Sequence, residues 1–155
     1  MSISVVISAV SDVEPDEAFR RLAAYERYPD QTTTVLSVET EQRDGDLYST
    51  WRVDFRGGVL RWKEKDEIDE STRSLTFRQV EGDLDLFEGA WQVVGVPAGS
   101  KMIFTAELDM GIPTLAAIID PVARQALQAN IRAILRGLFS DARLDWGDPA
   151  AAPSP

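Results

Sequence analysis

Glu64 and Asp66 are the two residues of this sequence whose type and spacing are best suited to acid–base chemistry. They lie in the stretch 59–69, whose alternation of apolar and charged residues is typical of a β-strand. Trp62 and Ile68 share their face of that strand, whereas the opposite face is mostly charged and is therefore expected to meet solvent. We expect Trp62 and Ile68 to direct both carboxylates toward the interior of the protein.

Two carboxylates in a partly dry site repel each other, and burial adds to the cost of their charges. The pKa of one of them should therefore rise, by ~3 units if it is deeply buried. Such a pair can hold one proton and act as general acid and base, or it can neutralise a cationic group of a ligand. The structural alternative is that the strand end bends into solvent, or that neighbouring arginine side chains pair with both acids.

Aromatic residues fall on the inward faces of several predicted strands. These candidate ligand-binding residues, together with one glutamine, are Trp51, Trp62, Phe77, Gln79, Phe87, Trp91 and Phe104. Together they predict an apolar pocket wall for a planar ligand, although each aromatic residue alone fits core packing equally well. Asn130 falls on the apolar side of the last predicted helix, where its amide needs either a loop carbonyl group or a ligand as partner.

One long amphipathic helix is predicted to cover the strands that carry these residues. Asp120 suits the N-cap and Pro121 the first helical position, and the helix is expected to continue to about Asp141. Its apolar face is formed by Leu127, Ile131, Ile134 and Leu138. The sequence therefore predicts an α+β protein in which a curved antiparallel sheet wraps around this helix and leaves a hydrophobic cavity.

The remaining elements are short. A first strand is predicted at 2–10, and a helix that begins at Pro15 should end before Tyr28-Pro29, because a residue that precedes proline avoids helical geometry. Further strands are predicted at 32–40, 47–56, 59–69, 74–80, 84–94 and 102–110. Asp44-Gly45 and Gly57-Gly58 indicate hairpin turns. We expect a single domain over residues 1–146 and a disordered tail at 147–155.

The composition excludes several classes of function. The 155 residues include no Cys and no His, which excludes disulfides, thiol chemistry and Ser-His catalysis, and the sequence predicts neither a metal nor a cofactor. The net charge of −10 argues against nucleic acids and anionic membranes as partners. Because no apolar run could span a bilayer and no signal-peptide pattern is present, we expect a cytoplasmic protein.

Leu84 and Leu86, assigned to outward faces, suggest a homodimer surface.

The order of these elements resembles the polyketide cyclase/dehydrase group of the START-like, helix-grip superfamily. The resemblance covers about residues 3–141 and is carried by YERYPD at 25–30, the serial hairpins, WQVV at 91–94, and Asp120-Pro121 followed by QANI at 128–131. It implies two small helices beside the sheet and the long helix. It also implies a hydrophobic cavity in which aromatase/cyclases direct aldol cyclisation and dehydration of a poly-β-ketone. Delivery of that ligand by an acyl carrier protein is a further implication.

The resemblance transfers only part of the family's site. It places Tyr28-Pro29 at the pocket mouth. It places Trp62 and Trp91 on the cavity strands, and Asn130 on the long helix. The catalytic arginine of the aromatase/cyclases falls on Asp66 and the preceding inward serine on Glu64. A second cavity arginine falls on Gln79 or Arg78, and a pocket tyrosine falls near Val35. Because an acid reverses the charge of the arginine, the arginine-based mechanism does not transfer to this sequence.

Three functions are consistent with these patterns. The first is a cyclase or dehydratase of secondary metabolism that uses Glu64 and Asp66 as its acid–base pair. The second is a non-catalytic carrier of a hydrophobic molecule such as a lipid, a quinone or an aromatic product. The third is a protein whose acidic surface binds a basic partner protein. We favour the first, because the two acids occupy the positions at which the resembling enzymes carry their chemistry.

Overall fold

The computed structural model describes residues 2–55, 58–111 and 116–145 of the chain. In chain order, its elements are β1 (Ile3–Ser11), α1 (Pro15–Ala23), a 3₁₀ turn (Tyr25–Arg27), α2 (Tyr28–Gln31), β2 (Val35–Arg43), β3 (Asp46–Phe55), β4 (Gly58–Asp69), β5 (Ser74–Gly82), β6 (Leu86–Val96), β7 (Gly99–Asp109), α3 (Ala116–Leu138) and β8 (Arg143–Asp145).

The strands form one antiparallel sheet in the order β2-β3-β4-β5-β6-β7-β1-β8. Neighbours from β2 to β7 are consecutive in the chain, whereas β1 joins the sheet between β7 and β8. The curved sheet, the long helix near the end of the chain and the short helices confirm the predicted α+β helix-grip architecture.

The first predicted hairpin is confirmed by its backbone geometry. Asp44 and Gly45 have φ of 54° and 85°, and they join Arg43 to Asp46 across the β2–β3 ladder. Positive φ at both central residues is typical of the type I′ turn, which matches the twist of the adjoining strands. In the second hairpin Phe55 pairs with Gly58, and the two residues between them lie outside the described part of the chain.

The core lies between the inner face of the sheet and α3. The predicted inward residues of β3, β6 and β7 are buried, including Trp51, Val53, Phe87, Trp91, Phe104 and Leu108. The apolar face of α3 is buried against them through Leu127, Ile131, Ile134 and Leu138. Strand alternation and helical periodicity therefore identified this part of the core.

The prediction for Tyr28-Pro29 is wrong in its physical reasoning. The first helix does end before these residues, at Ala23, but Tyr28 is itself helical, with φ −57° and ψ −43°, and it begins α2. Pro29 lies in the first turn of α2, where its missing N–H removes no helical hydrogen bond. Tyr28 is fixed in that geometry because its ring is buried and its hydroxyl group donates to the carbonyl oxygen of Leu22 at 2.7 Å.

The predicted bounds of the long helix are also wrong. The helix is already formed at Ala116, so that Pro121 lies inside it and Asp120 is not its N-cap. A proline removes one backbone hydrogen bond, which a long packed helix tolerates near its beginning. At the other end the helix stops at Leu138, and Asp141 instead accepts hydrogen bonds from Ser11 Oγ and the backbone N–H of Asp12, each at 2.7 Å.

Two further expectations are corrected, and two stay untested. Ile68 is 39% exposed because β4 extends beyond the core there, and the side chain of Leu84 is buried rather than outward-facing. The short strand β8, which pairs with β1, was not predicted. The expected disordered tail, 147–155, lies outside the described residues, and the single-domain boundary stays a prediction.

Candidate functional site

A cavity of about 80 Å³ lies between the inner face of the sheet and α3. It is bordered by residues of the 3₁₀ turn, α2, the strands and α3: Tyr25, Tyr28, Val35, Trp51, Val53, Phe55, Trp62, Glu64, Phe77, Phe87, Trp91, Phe104, Leu108, Leu127, Asn130, Ile131 and Ile134. Apart from the two tyrosine hydroxyl groups and the indole nitrogens, Glu64 and Asn130 supply its polar side-chain groups, and none of the described residues that border it is basic. The cavity is therefore an apolar, largely aromatic chamber with one acidic group in its wall.

The structure brings together most of the predicted site residues. All of them border the cavity except Asp66 and Gln79. Gln79 lies opposite Glu64 on β5, but its amide nitrogen donates to the carbonyl oxygen of Leu84 at 2.7 Å. The predicted role of Gln79 in ligand binding stays a prediction, whereas this bond gives its side chain a structural role at the β5–β6 turn.

Glu64 and Asp66 are both buried, each with 3% of its surface exposed. They lie on the same face of β4, as the alternation predicts, and their carboxyl groups interact with each other through a hydrogen bond. Glu64 borders the cavity, whereas Asp66 lies behind it, away from the lining. The two acids therefore occupy one site, in which only the first is placed to touch a ligand.

Neutral donors surround the pair. Trp62 Nε1 donates to Glu64 Oε1 at 2.7 Å, and Ser49 Oγ donates to Asp66 Oδ2 at 2.5 Å. Ser49 Oγ in turn accepts a hydrogen bond from Trp51 Nε1 at 2.8 Å. These contacts reject the alternative in which arginine side chains pair with the two acids, because the named partners are indole and hydroxyl groups.

Burial raises the pKa of both acids. Desolvation is the largest cause of the rise in the pKa of Glu64, followed by its hydrogen bond with Asp66 and the negative charge of Asp66. Desolvation also raises the pKa of Asp66, while hydrogen bonds from Glu64, Ser49 and Tyr25 act in the opposite direction. The pair therefore favours the state in which Glu64 carries a proton.

The aromatic residues around the pair are arranged with fixed geometry. Trp51 and Trp62 lie opposite each other on β3 and β4, with ring planes inclined by 2° and centroids 5.8 Å apart. Tyr25 and Tyr28 contact Trp51 edge-on, with ring centroids 5.4 and 5.5 Å from it. Burial, together with the two nearby acids, raises the pKa of both tyrosines, so that their hydroxyl groups stay neutral at physiological pH.

The side-chain amide of Asn130 hydrogen-bonds to carbonyl groups of the protein, which is one of the two alternatives that the sequence left open. Its Nδ2 donates at 3.2 Å to two carbonyl oxygens, those of Asp54 at the end of β3 and of Ala126 one turn earlier in α3. Its Oδ1 is buried without a hydrogen-bond donor from the described residues. Asn130 therefore fixes α3 to the sheet and keeps an acceptor at the cavity wall.

Two residues of the site were missed by sequence reasoning. Ser49 lies two residues before Trp51 on the same face of β3, and it pairs directly with Glu64. The pairing of Phe55 with Gly58 sets that register, which the predicted Gly57-Gly58 turn places two residues away, so the sequence alone did not identify Ser49. Tyr25, whose hydroxyl group interacts with Asp66, lies in the YERYPD segment, but nothing in the spacing of that segment indicates that it reaches β4.

The described residues 2–55, 58–111 and 116–145 contain no group of three or more acidic side chains placed to hold a metal ion. Within the same residues, no helix is long and apolar enough to cross a membrane.

Comparisons with known proteins agree with the resemblance seen in the sequence. A model of the family described as polyketide cyclase / dehydrase and lipid transport matches residues 11–135. The structure is similar to TTHA0849 from Thermus thermophilus (24% identity, TM-score 0.78, 89% of this chain and 94% of that chain). It is also similar to the Zhui aromatase/cyclase from Streptomyces sp. R1128 (17%, 0.71, 89% and 93%) and to a START superfamily protein from Mycobacterium smegmatis (11%, 0.72, 90% and 97%). No curated protein matches the sequence significantly.

Proposed function

Because the chain belongs to the polyketide cyclase / dehydrase and lipid transport family, we propose that it is a cyclase/dehydratase-like enzyme of secondary metabolism. Its ligand is a hydrophobic poly-ketone or aromatic intermediate bound in the internal cavity. Cyclisation or dehydration is promoted by carboxylate acid–base chemistry at Glu64, with Asp66 as the second member of the pair.

The observation that carries this proposal is the protonatable Glu64 carboxyl group in the wall of an otherwise apolar cavity. A carboxyl group there with a raised pKa keeps its proton to higher pH than an ordinary glutamate, which suits it to donate that proton to a ligand. The aromatic walls would hold a planar substrate and keep water away from the reacting atoms.

One carboxyl group suffices for both proton transfers. The Glu64 carboxylic acid gives its proton to the oxygen of a substrate carbonyl or of a departing hydroxyl group. The carboxylate left behind then takes the α-proton, so that Glu64 ends the cycle protonated. A carbon–carbon bond forms in cyclisation, and in dehydration the carbon–oxygen bond breaks with release of water. Asp66 acts through Glu64, because its negative charge raises the basicity of the momentary Glu64 carboxylate.

A carrier function has one observation in its favour. The cavity of about 80 Å³ is smaller than the roughly 150 Å³ cavity that accommodates benzene in an engineered protein, so a long poly-ketone does not fit inside it without a change of shape. A longer ligand would have to displace part of the wall or extend out of the cavity, which is not fully enclosed. A wall that adapts to a hydrophobic molecule would serve a carrier as well as an enzyme.

The two functions are separated by what the protein retains from a host that produces poly-ketones. Wild type, Glu64→Gln and the double variant Glu64→Gln/Asp66→Asn are purified from that host, and their bound small molecules are identified by native mass spectrometry. We expect wild type to carry cyclised or dehydrated product and both variants to carry the uncyclised precursor, because an amide cannot exchange the proton. General acid–base catalysis contributes roughly 10²–10⁴-fold, so the precursor should dominate in both variants.

Glu67→Gln provides the matched control, since Glu67 is an exposed glutamate on the same strand. This variant should behave as wild type. If wild type and the Glu64 variants retain the same unaltered molecule, the protein is a carrier and the acid pair is structural.

A further inference from the structure

Ser49 lies at the centre of the hydrogen bonds that surround the acid pair. Its side chain is fully buried on β3, directly opposite Glu64, and its Oγ is 2.5 Å from Asp66 Oδ2. Trp51 Nε1 is 2.8 Å from the same Oγ. The hydroxyl group thus joins one of the two stacked tryptophans to the carboxyl group that does not border the cavity.

The proton of the Ser49 hydroxyl group is directed at Asp66. A serine hydroxyl carries a single proton, whereas an indole nitrogen can only donate. The Ser49 hydroxyl group accepts from Trp51 Nε1 and donates to Asp66 Oδ2 in its shortest contact, and it also interacts with Glu64, whose pKa it lowers as well. An oxygen that receives this proton acts as an acceptor, and a charged carboxylate is the stronger acceptor.

A second indole group fixes the other member of the pair in the same way. Trp62 Nε1 donates to Glu64 Oε1, so Oε1 is also an acceptor. The oxygens of the pair that receive neither of these two bonds are Glu64 Oε2 and Asp66 Oδ1. Asp66 Oδ1 is buried and receives no hydrogen bond from an N–H or O–H donor of the described residues. If the hydrogen bond between the two carboxyl groups uses Asp66 Oδ1, its donor is a proton on Glu64.

We propose that Ser49, oriented by Trp51, is the positioning residue that keeps Asp66 ionised and thereby assigns the proton of the pair to Glu64, the carboxyl group that borders the cavity. The catalytic consequence of this assignment rests on the proposed function, whereas the assignment itself does not. Without it, the proton would be shared with the acid that cannot reach a ligand.

Of the other described groups that face the pair, Tyr25 acts in the same direction as Ser49 and the rest do not. From β5, Gln79 and Phe77 lie opposite Glu64 and Asp66, and neither titrates. From the 3₁₀ turn and α2, Tyr25 and Tyr28 face the pair as neutral hydroxyl groups. Tyr28 donates to the carbonyl oxygen of Leu22, and Tyr25 interacts with Asp66, so Tyr25 adds to the effect of Ser49.

Titration of the side-chain carboxyl carbons by ¹³C NMR tests the assignment directly. The two signals are assigned with Glu64→Gln and Asp66→Asn. In wild type, we expect Glu64 to keep its proton to higher pH than Asp66. In Ser49→Ala, the midpoint of Asp66 should rise by about one pH unit or more, because its carboxylate loses a hydrogen bond, and the proton should be shared between both acids.

Two further variants keep the test decisive if Ser49→Ala is poorly folded. Trp51→Phe keeps an aromatic ring but removes the indole N–H, so the Ser49 hydroxyl group can turn. The titration midpoint of Asp66 should then rise, by a smaller amount than in Ser49→Ala. Ser49→Thr retains the hydroxyl group and should restore the wild-type order. Thr50→Ala removes a hydroxyl group from the exposed face of the same strand and should change neither midpoint.

The outcomes separate this inference from the proposed function. If Asp66 holds the proton in wild type, or if Ser49→Ala and Trp51→Phe both leave the two midpoints unchanged, the role of Ser49 is overturned, and the ligand analysis of the Glu64 variants still decides catalysis. If the NMR midpoints shift as expected while wild type retains an unaltered ligand, Ser49 positions the proton of a carrier protein, and only the catalytic proposal fails.

Discussion

Glu64 and Glu41 are the same residue type on the same sheet, yet their environments shift the pKa in opposite directions. Glu64 is buried on the inner face, and desolvation raises its pKa. Glu41 lies on the outer face with 46% of its side chain exposed, and Lys63 Nζ is 2.8 Å from its Oε1. The hydrogen bond and the positive charge of Lys63 lower the pKa of Glu41.

The comparison shows that sequence proximity to a cation does not neutralise an acid on a strand. Lys63 and Lys65 flank Glu64 in the chain, but the pleat of β4 directs them to the other face, where they pair with Glu41 and Asp46. Glu64 therefore meets indole and hydroxyl donors and a second acid instead of a lysine. The same strand thus stabilises charge on its outer face and a proton on its inner face.

The largest expected effect on stability comes from removing Trp62, the aromatic partner of Glu64 on the inner face. Trp62→Ala deletes the ring that stacks on Trp51 and the N–H that binds Glu64, and it should lower the free energy of unfolding by about 3–5 kcal/mol. Tyr48→Ala on the outer face, where the ring contacts Lys63, should cost much less because Tyr48 is only partly buried. Urea denaturation of both variants measures the difference, and equal losses would contradict the comparison.

The pH dependence of stability gives the next largest effect. Because Glu64 binds its proton more tightly in the folded state, stability is full below the unfolded pKa of about 4.3 and falls as the pH rises through the raised folded pKa. The slope approaches about 1.4 kcal/mol per pH unit for one proton. Asp66 contributes with the same sign.

Urea midpoints measured above about pH 5, where the exposed acids are already ionised, should therefore fall with pH in wild type. Glu64→Gln should flatten this dependence, and Glu67→Gln should leave it unchanged. A Glu64→Gln protein with the wild-type slope would show that Glu64 is ionised in the folded state.

The smallest effect concerns Glu41 on the outer face, whose contribution to stability changes with pH in the opposite direction to that of Glu64. The pKa of Glu41 is lowered on folding, so its contribution is present above the unfolded pKa and is lost as the pH falls through the folded value. Glu41→Gln should slightly reduce the stability difference between neutral and acidic solution, and only at low ionic strength, because the pair is exposed. A change that persists at high salt would show that Glu41 is better shielded than its exposure indicates.

The inner face of β4 was predictable from the sequence because alternation is a local property. Trp62, Glu64 and Asp66 lie where the pattern places them, and the wall aromatics of β3, β5, β6 and β7 follow the same rule. The pattern failed at Ile68, because alternation does not reveal how far the core extends along a strand.

What could not be predicted depends on contacts between distant segments. Helical geometry at Tyr28 is held by its buried ring and its bond to Leu22, which outweigh the local preference of a residue before proline. The start of α3 was misplaced because Asp120-Pro121 is a favourable local start inside a longer helix. Ser49 was not predicted as a site residue, because a single serine gives no signal until the strand register places it beside two carboxyl groups.

The position of β1 in the sheet has a consequence for the order in which the chain folds. Ile3 pairs with Leu108 and Ser11 with Ser100. Most of the other strands therefore lie between β1 and its partner β7 in the sequence. Until then Val5, Ile7 and Ala9, which are buried in the finished sheet, have no strand to cover them. Such long-range pairing slows folding and exposes an apolar strand to association with other chains. During synthesis, β1 can therefore pair with β7 only after β7 has left the ribosome.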